Sequence, residues 1–276
     1  MSCVSVLEYR CQAEKGERPR VEEFAGPSLA IVCSGRFAFR SGHAAQLLAN
    51  DFLLLGNPGQ AYEISHPDAG GDRCLIFHFQ EPVLAEIGDA RRRWRGRRYF
   101  ARSVLPPLPR ATALRRLVEA GAAARLEIDE VAIASASHAM AEAGAGDPRA
   151  APPPARDRRT RESIHRVAEW LERSIGEEVR LSEVARLAEL SPYHFLRTFK
   201  REIGVTPYRF LVRARIRRAL ELLMEPGATV TEIAYAVGFG DLSNFVHTFR
   251  REVGSTPGRW RESVKAAGRL GGADRS

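Results

Sequence analysis

The 276-residue sequence lacks several features that mark particular classes of protein. It has no run of roughly 18 consecutive apolar residues, which a membrane-spanning helix needs. Its first ten residues do not show the basic-then-apolar order of a secretory signal. Only four cysteines occur, all within the first 74 residues and without a CxxC pair, and no HxH pair indicates a metal-binding strand. We therefore expect a cytoplasmic protein with free thiols, no membrane partner and no metal or other cofactor.

Positive charge is concentrated in the second part of the chain. The net charge is +8. Up to residue 155 there are 19 Lys and Arg against 18 Asp and Glu, whereas the remainder has 23 against 16. A basic part joined to a neutral part is typical of a module that binds a polyanion such as nucleic acid, although a solvated basic surface has the same composition.

Composition also predicts where the domains divide. From about residue 20 to 80, short apolar runs bounded by Gly, Pro, Asp and Asn are typical of an all-β barrel or sandwich. The Ala-, Leu-, Arg- and Glu-rich segment at about 110–143 predicts one or two helices, whose apolar side needs a partner such as a second copy of the chain. The Pro- and Ala-rich segment 146–158 predicts a linker after an N-terminal domain over 1–145.

The helical C-terminal part contains one motif twice. "SPYHFLRTFKREIGVTP" begins at Ser191 and "DLSNFVHTFRREVGSTP" at Asp241, and nine of the fifteen residues from Phe195 to Arg209 recur fifty positions later. Each copy has an N-cap residue, a helix and a glycine at which the helix ends, and each follows a shorter helix. Two short helices joined by a tight turn, the second apolar on one side, indicate a helix-turn-helix unit. The sequence therefore predicts two such units.

Each predicted recognition helix has a buried stripe and an outward side. Phe195 and Phe199 in the first copy, and Phe245 and Phe249 in the second, lie four residues apart and therefore on one face. The opposite face would meet base edges in the major groove. The outward residues that we predict to bind DNA are Tyr193, His194, Arg197 and Arg201 in the first unit, and Ser243, Asn244, His247 and Arg250 in the second.

A connecting helix is predicted over 207–224. At 1.5 Å per residue it would be roughly 27 Å long. That length is compatible with inserting both recognition helices into major-groove segments about 34 Å apart. Arg209, Arg213 and Arg217 recur at every fourth position of this helix, so they either face phosphates or form a solvated basic stripe.

Residues 160–265 resemble the DNA-binding domain of the AraC/XylS transcriptional regulators, in which a long helix bridges two helix-turn-helix units. The segment "IAYAVGFGDLSNFVHTFRREVGSTP" is close to the signature of that family. The resemblance implies an AraC-type domain over 159–265, after which we expect a disordered tail at 266–276. It also implies an N-terminal cupin-like barrel with a helical appendage, for sensing a ligand or for dimerisation. The implied partners are double-stranded DNA, RNA polymerase, a small-molecule effector and a second copy of the chain, and the implied DNA contacts are Tyr193, Leu196, Arg197, Ser243, Asn244 and His247.

Thiol chemistry is a further hypothesis for the N-terminal domain. Strand alternation places Cys74 and His78 on one face, and Cys33 could lie on a neighbouring strand. A cysteine near His or Arg can have a lowered pKa and sense oxidants, electrophiles or soft metals, whereas a buried cysteine is an inert apolar residue. The candidate effector or thiol-sensing residues are Cys33, Cys74, His66, His78 and Tyr62, the last standing where the family often has a histidine.

Together these features predict a two-domain α+β protein with an N-terminal cupin-like β-barrel and a C-terminal all-α double helix-turn-helix domain. Its predicted function is sequence-specific DNA-binding transcriptional regulation rather than catalysis, controlled by a small molecule or a thiol-reactive signal at the N-terminal domain. Two alternatives stay open. One is a regulator that needs no effector and acts through partner proteins. The other is a cupin enzyme fused to a DNA-binding module, which bound metal or turnover in the N-terminal half would favour.

Overall fold

The chain divides into two compact units in a computed structural model. The first comprises residues 3–119 and 125–143, with sheets and helices, and the regular elements of the second, 158–273, are all helices. None of the helices in the described part of the chain has the length and apolar character needed to cross a membrane. Most of the predicted linker, residues 146–157, lies outside the described residues. The structure describes residues 3–12, 19–41, 44–66, 70–90, 98–120, 125–143 and 158–273.

The first unit contains two antiparallel sheets. One sheet has the strand order β1-β8-β3-β6-β9 and the other has the order β2-β7-β4-β5, so each is open within the described residues. The strands are β1 (Val4–Cys11), β2 (Arg20–Glu23), β3 (Ser28–Gly35), β4 (Phe37–Ser41), β5 (Ala44–Leu48), β6 (Leu53–Gly56), β7 (Ala61–Ser65), β8 (Asp72–Phe79) and β9 (Val104–Leu105).

The inner strands of the five-stranded sheet, β8, β3 and β6, are largely buried on both faces. Along β3, Leu29 and Ile31 belong to a core shared with helices, whereas Ala30 and Val32 belong to a core shared with Phe37 and the rest of the second sheet. Successive side chains of a strand point to opposite faces, so a strand between two layers needs apolar residues at consecutive positions. This requirement explains the continuous apolar run of β3.

Three helices cover the outer face of that sheet. They are α1 (Glu81–Ala90), α2 (Pro109–Glu119) and α3 (Arg125–Ala143). Leu84 of α1, Leu114 of α2 and Ala136 of α3 pack in the same core as Phe77 of β8. The small alanines of α3 allow it to pack closely against its neighbours. The apolar side of the helices is therefore buried within the unit.

The second unit has seven helices among its described residues. Ile164, Val167, Ala168 and Leu171 form the buried face of the first of these helices and pack against Phe195. The helices are α4 (Arg158–Arg173), α5 (Leu181–Leu187), α6 (Pro192–Ile203), α7 (Pro207–Leu222), α8 (Val230–Ala236), α9 (Leu242–Val253) and α10 (Pro257–Ala273).

The prediction of N-terminal β-sheets and C-terminal helices is confirmed. Among the described residues the sheets face each other as a sandwich and do not close into a barrel, because β1 and β9 end one sheet and β2 and β5 end the other. The expected disordered tail is corrected in part, since α10 continues to Ala273. Ala, Arg and Leu in this segment favour helix, which offsets its glycines. The final residues 274–276 lie outside the described part of the chain.

Candidate nucleic-acid interface

Local sequence signals determine both ends of α6. The Ser191 side chain accepts a hydrogen bond from the His194 amide, and Pro192 occupies the first turn, where a missing N–H costs nothing. At the other end Gly204 has φ +93° and its amide bonds to the Lys200 carbonyl. Because this left-handed conformation suits glycine, the helix ends where the sequence predicted.

The second copy repeats this construction in α9. Asp241 is the N-cap and accepts a 2.7 Å hydrogen bond from the Asn244 amide. Gly254, at φ +99°, ends the helix with a bond to the Arg250 carbonyl. The anionic Asp241 at the helix start is additionally favourable because the N-terminus of a helix carries partial positive charge.

The two helices bury the same face. Phe195 and Phe199 are fully buried in α6, as are Phe245 and Phe249 in α9, and each pair of rings lies within 6 Å, centroid to centroid. The opposite face of each helix is exposed over two turns, so the side chains there are available to a ligand. The exposed predicted positions are Tyr193, His194, Arg197, Arg201, Ser243, Asn244, His247 and Arg250, whereas Leu196 is half-buried.

Within α6 the side chains of Arg197 and Tyr193 contact each other. The guanidinium carbon of Arg197 lies 5.8 Å from the centroid of the Tyr193 ring, which is a cation–π distance. Tyr193 is 70% exposed, so the pair projects from the surface. An arginine held along a tyrosine loses less side-chain entropy on binding than a free one. The pair therefore presents a partly oriented donor on the outward face.

The turns that precede α6 and α9 differ by one residue. The amides of Leu190 and Phe239, 49 positions apart, bond to the carbonyls of Ala185 and Ala234. The N-caps that follow are 50 positions apart, so the second turn has one additional residue, Gly240. The two units are therefore equivalent in their helices but not in their turns.

Both turns contain a residue in the left-handed backbone conformation. Glu189 has φ +57° and the matching Gly238 has φ +87°. A side chain on Gly238 would also place its Cβ 2.5 Å from the Ile175 carbonyl oxygen. The N-cap of α5 is Arg180, which makes no side-chain capping hydrogen bond.

The arginines of α7 do not share one environment. Arg209 is exposed, but Arg213 is 1% exposed and its Nε donates to Glu252 of α9 at 3.3 Å. Arg217 is also buried and pairs with Glu172 at the end of α4. The expected phosphate-facing stripe is therefore corrected: Arg213 and Arg217 join helices, because α7 is packed between α4 and α9. Arg209 alone among the three is exposed.

A groove of about 390 Å³ lies between the start of α7 and α9. It brings Arg209 and Asn244 to one surface, although they belong to different helices. Tyr208, which is 74% exposed, lines the same groove and was missed from the sequence. Its position next to Pro207 at the start of a helix was the available signal, since a tyrosine there points outside the buried face.

The five thiol-sensing candidates do not form one site. Cys33 packs in the core beneath the helices, while Cys74 packs in the core between the sheets. Burial raises the thiol pKa of both cysteines, which disfavours the reactive thiolate. The Tyr62 hydroxyl donates a hydrogen bond to Glu22 at 2.6 Å. Burial raises the pKa of Tyr62, and this hydrogen bond raises it further. His78 lies on β8, opposite Ser5 of β1 and Ser28 of β3.

His66 and Cys74 are connected through a residue that sequence reasoning missed. Asp72 lies 2.7 Å from His66 Nε2 through one carboxylate oxygen and accepts from the Cys74 thiol at 3.3 Å through the other. Cys11, also missed, lies directly opposite Asp72 in the pairing of β1 with β8. No local sequence signal gives this register, because the two residues are far apart in the chain.

One protein family matches the chain. A family model described as "Helix-turn-helix domain" matches residues 184–263, which run from the middle of α5 into α10. The matched segment contains both pairs of short helices and the connecting helix. It covers less than a third of the chain and lies wholly in the second unit.

Individual relatives show the same partial similarity. The HTH-type transcriptional activator RhaS of Salmonella schwarzengrund is 40% identical over 82 residues, which are 30% of this chain and 30% of that protein. The uncharacterized HTH-type transcriptional regulator YdeC of Bacillus subtilis is 34% identical over 82 residues, 30% of this chain and 28% of that protein. The chain thus matches less than a third of the length of these relatives. The crystallised DNA-binding domain of AdpA in complex with a target DNA is 28% identical, covering 38% of this chain and 94% of that one with a TM-score of 0.36.

Proposed function

We propose that this chain, whose C-terminal region contains an AraC-type helix-turn-helix domain, is a transcriptional regulator that binds double-stranded DNA in a sequence-specific manner. In this proposal α6 and α9 are recognition helices that enter adjacent segments of the major groove. Regulation of transcription would follow from occupying a defined site near a promoter. RNA polymerase is the proposed protein partner, and the cytoplasm is the proposed location.

One observation supports this proposal above the others: the two repeated helices have the same pattern of buried and exposed residues, but different outward side chains. The buried phenylalanines and the glycine ends are kept between the copies. His194 is replaced by Asn244, and Arg197 by His247. Two scaffolds of one kind that present different hydrogen-bonding groups fit a reader of two different base sequences.

The chemistry of the outward residues supports a division of roles. Arg197 is the strongest candidate for a base contact, since a bidentate arginine–guanine pair is the commonest specific contact in the major groove. Asn244 suits adenine, which offers a donor and an acceptor together. Arg209, Arg201 and Arg250 carry charge that suits phosphates. The groove that joins Arg209 to Asn244 would allow one phosphate contact to position one base contact.

The first unit is the proposed site of control. Its two facing sheets and three helices are the part of the chain that the family resemblance assigns to a cupin-like sensing and dimerisation domain. We assign it the binding of a small-molecule effector and the association of two chains. The domain limits proposed are 1–145 for this part and 159–265 for the DNA-binding domain.

Selection of genomic DNA fragments by the purified full chain tests the proposal. Salt should be held at about 150 mM, because phosphate contacts make affinity strongly salt-dependent. We expect enrichment of a site with two blocks about one helical turn apart. Arg197→Ala should relax base preference in one block, and Asn244→Ala in the other, each costing about 1–3 kcal/mol of binding free energy.

A matched control removes one exposed arginine outside the proposed surface. Arg218 lies on α7 and pairs with Glu221. Arg218→Ala should therefore leave the base preferences in both blocks unchanged. Equal base preferences in wild type and Arg197→Ala would contradict the assignment of that residue. Absence of any enriched sequence, with and without cell extract as a source of effector, would contradict the proposed function.

A further inference from the structure

We propose that Cys11, His66 and Asp72 form a binding site for a thiophilic divalent transition metal of the Zn²⁺ type. The sulfur, imidazole and carboxylate ligand atoms of these residues all lie within 4.8 Å of one another. The site is in the first unit, and this inference does not depend on DNA binding. A thiolate and an imidazole select zinc-like ions over Mg²⁺ and Ca²⁺, which prefer oxygen ligands.

The topology of the first unit brings the three residues together. Cys11 is the last residue of β1 and Asp72 the first of β8, and the antiparallel pairing places them directly opposite each other. Directly opposed side chains lie on the same face of a sheet, about 5 Å apart at Cβ. His66 follows β7, which belongs to the other sheet. A metal here would therefore join the two sheets at one corner.

The donors are suitably spaced for insertion of an ion. Zinc bonds of about 2.0–2.3 Å arranged tetrahedrally place ligand atoms roughly 3.3–3.8 Å apart. His66 Nε2 and Asp72 Oδ1 are 2.7 Å apart, as in a hydrogen bond. Exchange of that proton for a metal requires the two atoms to separate by about 1 Å, which a rotation of either side chain can provide. The thiol proton of Cys11 would be released to solvent when the sulfur binds as thiolate.

The surroundings orient the carboxylate and shield it. The side chains of His66 and Asp72 are 9% and 5% exposed. The Cys74 thiol donates to Asp72 Oδ2, which leaves Oδ1 directed at His66. Such outer hydrogen bonds orient metal ligands and tune their affinity. Gly35, at φ +86°, allows β3 to approach closely, since a Cβ there would lie 2.8 Å from the Asp72 Cα.

The space between the ligands suits an ion and excludes an organic effector. The cavity has a volume of about 20 Å³ and is lined by the three ligands together with Arg20 and Glu22. A space of that size holds about one water molecule. The positive charge of Arg20 opposes a cation, but a thiolate, Asp72 and Glu22 supply three negative charges against it. Three protein ligands leave the fourth tetrahedral position for water.

Cobalt binding to the metal-stripped full chain tests this proposal. The protein should be treated with a chelator, kept reduced and titrated with Co²⁺ under anaerobic conditions. We expect one equivalent to bind with a thiolate-to-cobalt charge-transfer band, which Zn²⁺ removes and excess Mg²⁺ does not. Cys11→Ser should abolish the band. Asp72→Asn should weaken binding at least tenfold, and Cys74→Ala about tenfold with the band retained.

Cys3→Ser is the matched control, because Cys3 is also half-buried near the start of β1 but is not one of the three ligands. It should bind Co²⁺ as the wild type does. Circular dichroism of each variant must match the wild type. If Asp72→Asn fails to fold, the Cys11→Ser and Cys3→Ser pair decides the question alone. A wild type without the charge-transfer band, or a band that survives Cys11→Ser, would overturn the proposal.

Discussion

Arg213 and Glu252 form a buried charged pair between α7 and α9, with side chains 1% and 5% exposed. Removing one partner would leave the other charge buried without its main counter-ion. We expect Arg213→Met to lower the free energy of unfolding of the C-terminal unit by about 3–5 kcal/mol. Urea denaturation followed by circular dichroism measures this loss.

The double variant Arg213→Met, Glu252→Gln is the control for this interpretation. It leaves no buried charge, so it should recover a substantial part of the stability that Arg213→Met loses. A surface role for Arg213 makes a different prediction, namely that Arg213→Met weakens DNA binding while stability stays the same. That result would contradict the structural role.

Helix α8 begins with a capping box. Thr229 accepts from the Glu232 amide, and the Glu232 carboxylate accepts from the Thr229 amide and hydroxyl. The hydrogen bond from the Thr229 amide has the largest effect and the bond from its hydroxyl the next largest. Both lower the pKa of Glu232 below its ordinary value of 4.5. A carboxylate whose pKa is lower in the folded state stabilises the fold above its unfolded pKa, and that contribution is lost as the pH falls through the folded value.

Glu232→Gln should therefore reduce stability at pH 7, and the difference from wild type should shrink in acid, below the ordinary pKa of 4.5. Urea midpoints measured at pH 7 and in acid would show it. Glu225→Gln, at another exposed glutamate of the same unit, is the control and should not reproduce the pattern. An equal difference at both pH values would contradict the role of the carboxylate.

Substitutions that remove or introduce glycine at matching positions of the two turns should have different effects on stability. Gly238→Ala forces a side chain into a left-handed conformation and against the Ile175 carbonyl, so it should cost about 1–3 kcal/mol of stability. Glu189→Gly should change stability by less than about 1 kcal/mol, because relief of strain is offset by the greater freedom of glycine in the unfolded chain. Thermal and urea unfolding of both variants measures the asymmetry. Similar losses in both would contradict the strained left-handed conformation assigned to Glu189.

The sequence predicted those features of the fold that depend on residues close together in the chain. Ser191, Gly204 and Gly254 could be assigned because a cap is formed by residues within one helical turn of it. The burial of Arg213 could not be predicted, because a spacing of four residues along α7 does not show which side of that helix α9 covers. The opposition of Cys11 and Asp72 was equally inaccessible, because the register of two strands so far apart in sequence has no local signal.

The ion pair between α7 and α9 has a consequence for the spacer in the DNA. Because α7 packs on both α6 and α9, this one helix sets the positions of the two helices relative to each other. Under the proposed function, the number of base pairs between the two blocks should therefore tolerate little variation. One inserted base pair rotates the second block by about 35° around the duplex, since a turn contains 10–10.5 base pairs. Five inserted base pairs would place it on the opposite side, where α9 cannot reach while α6 stays bound.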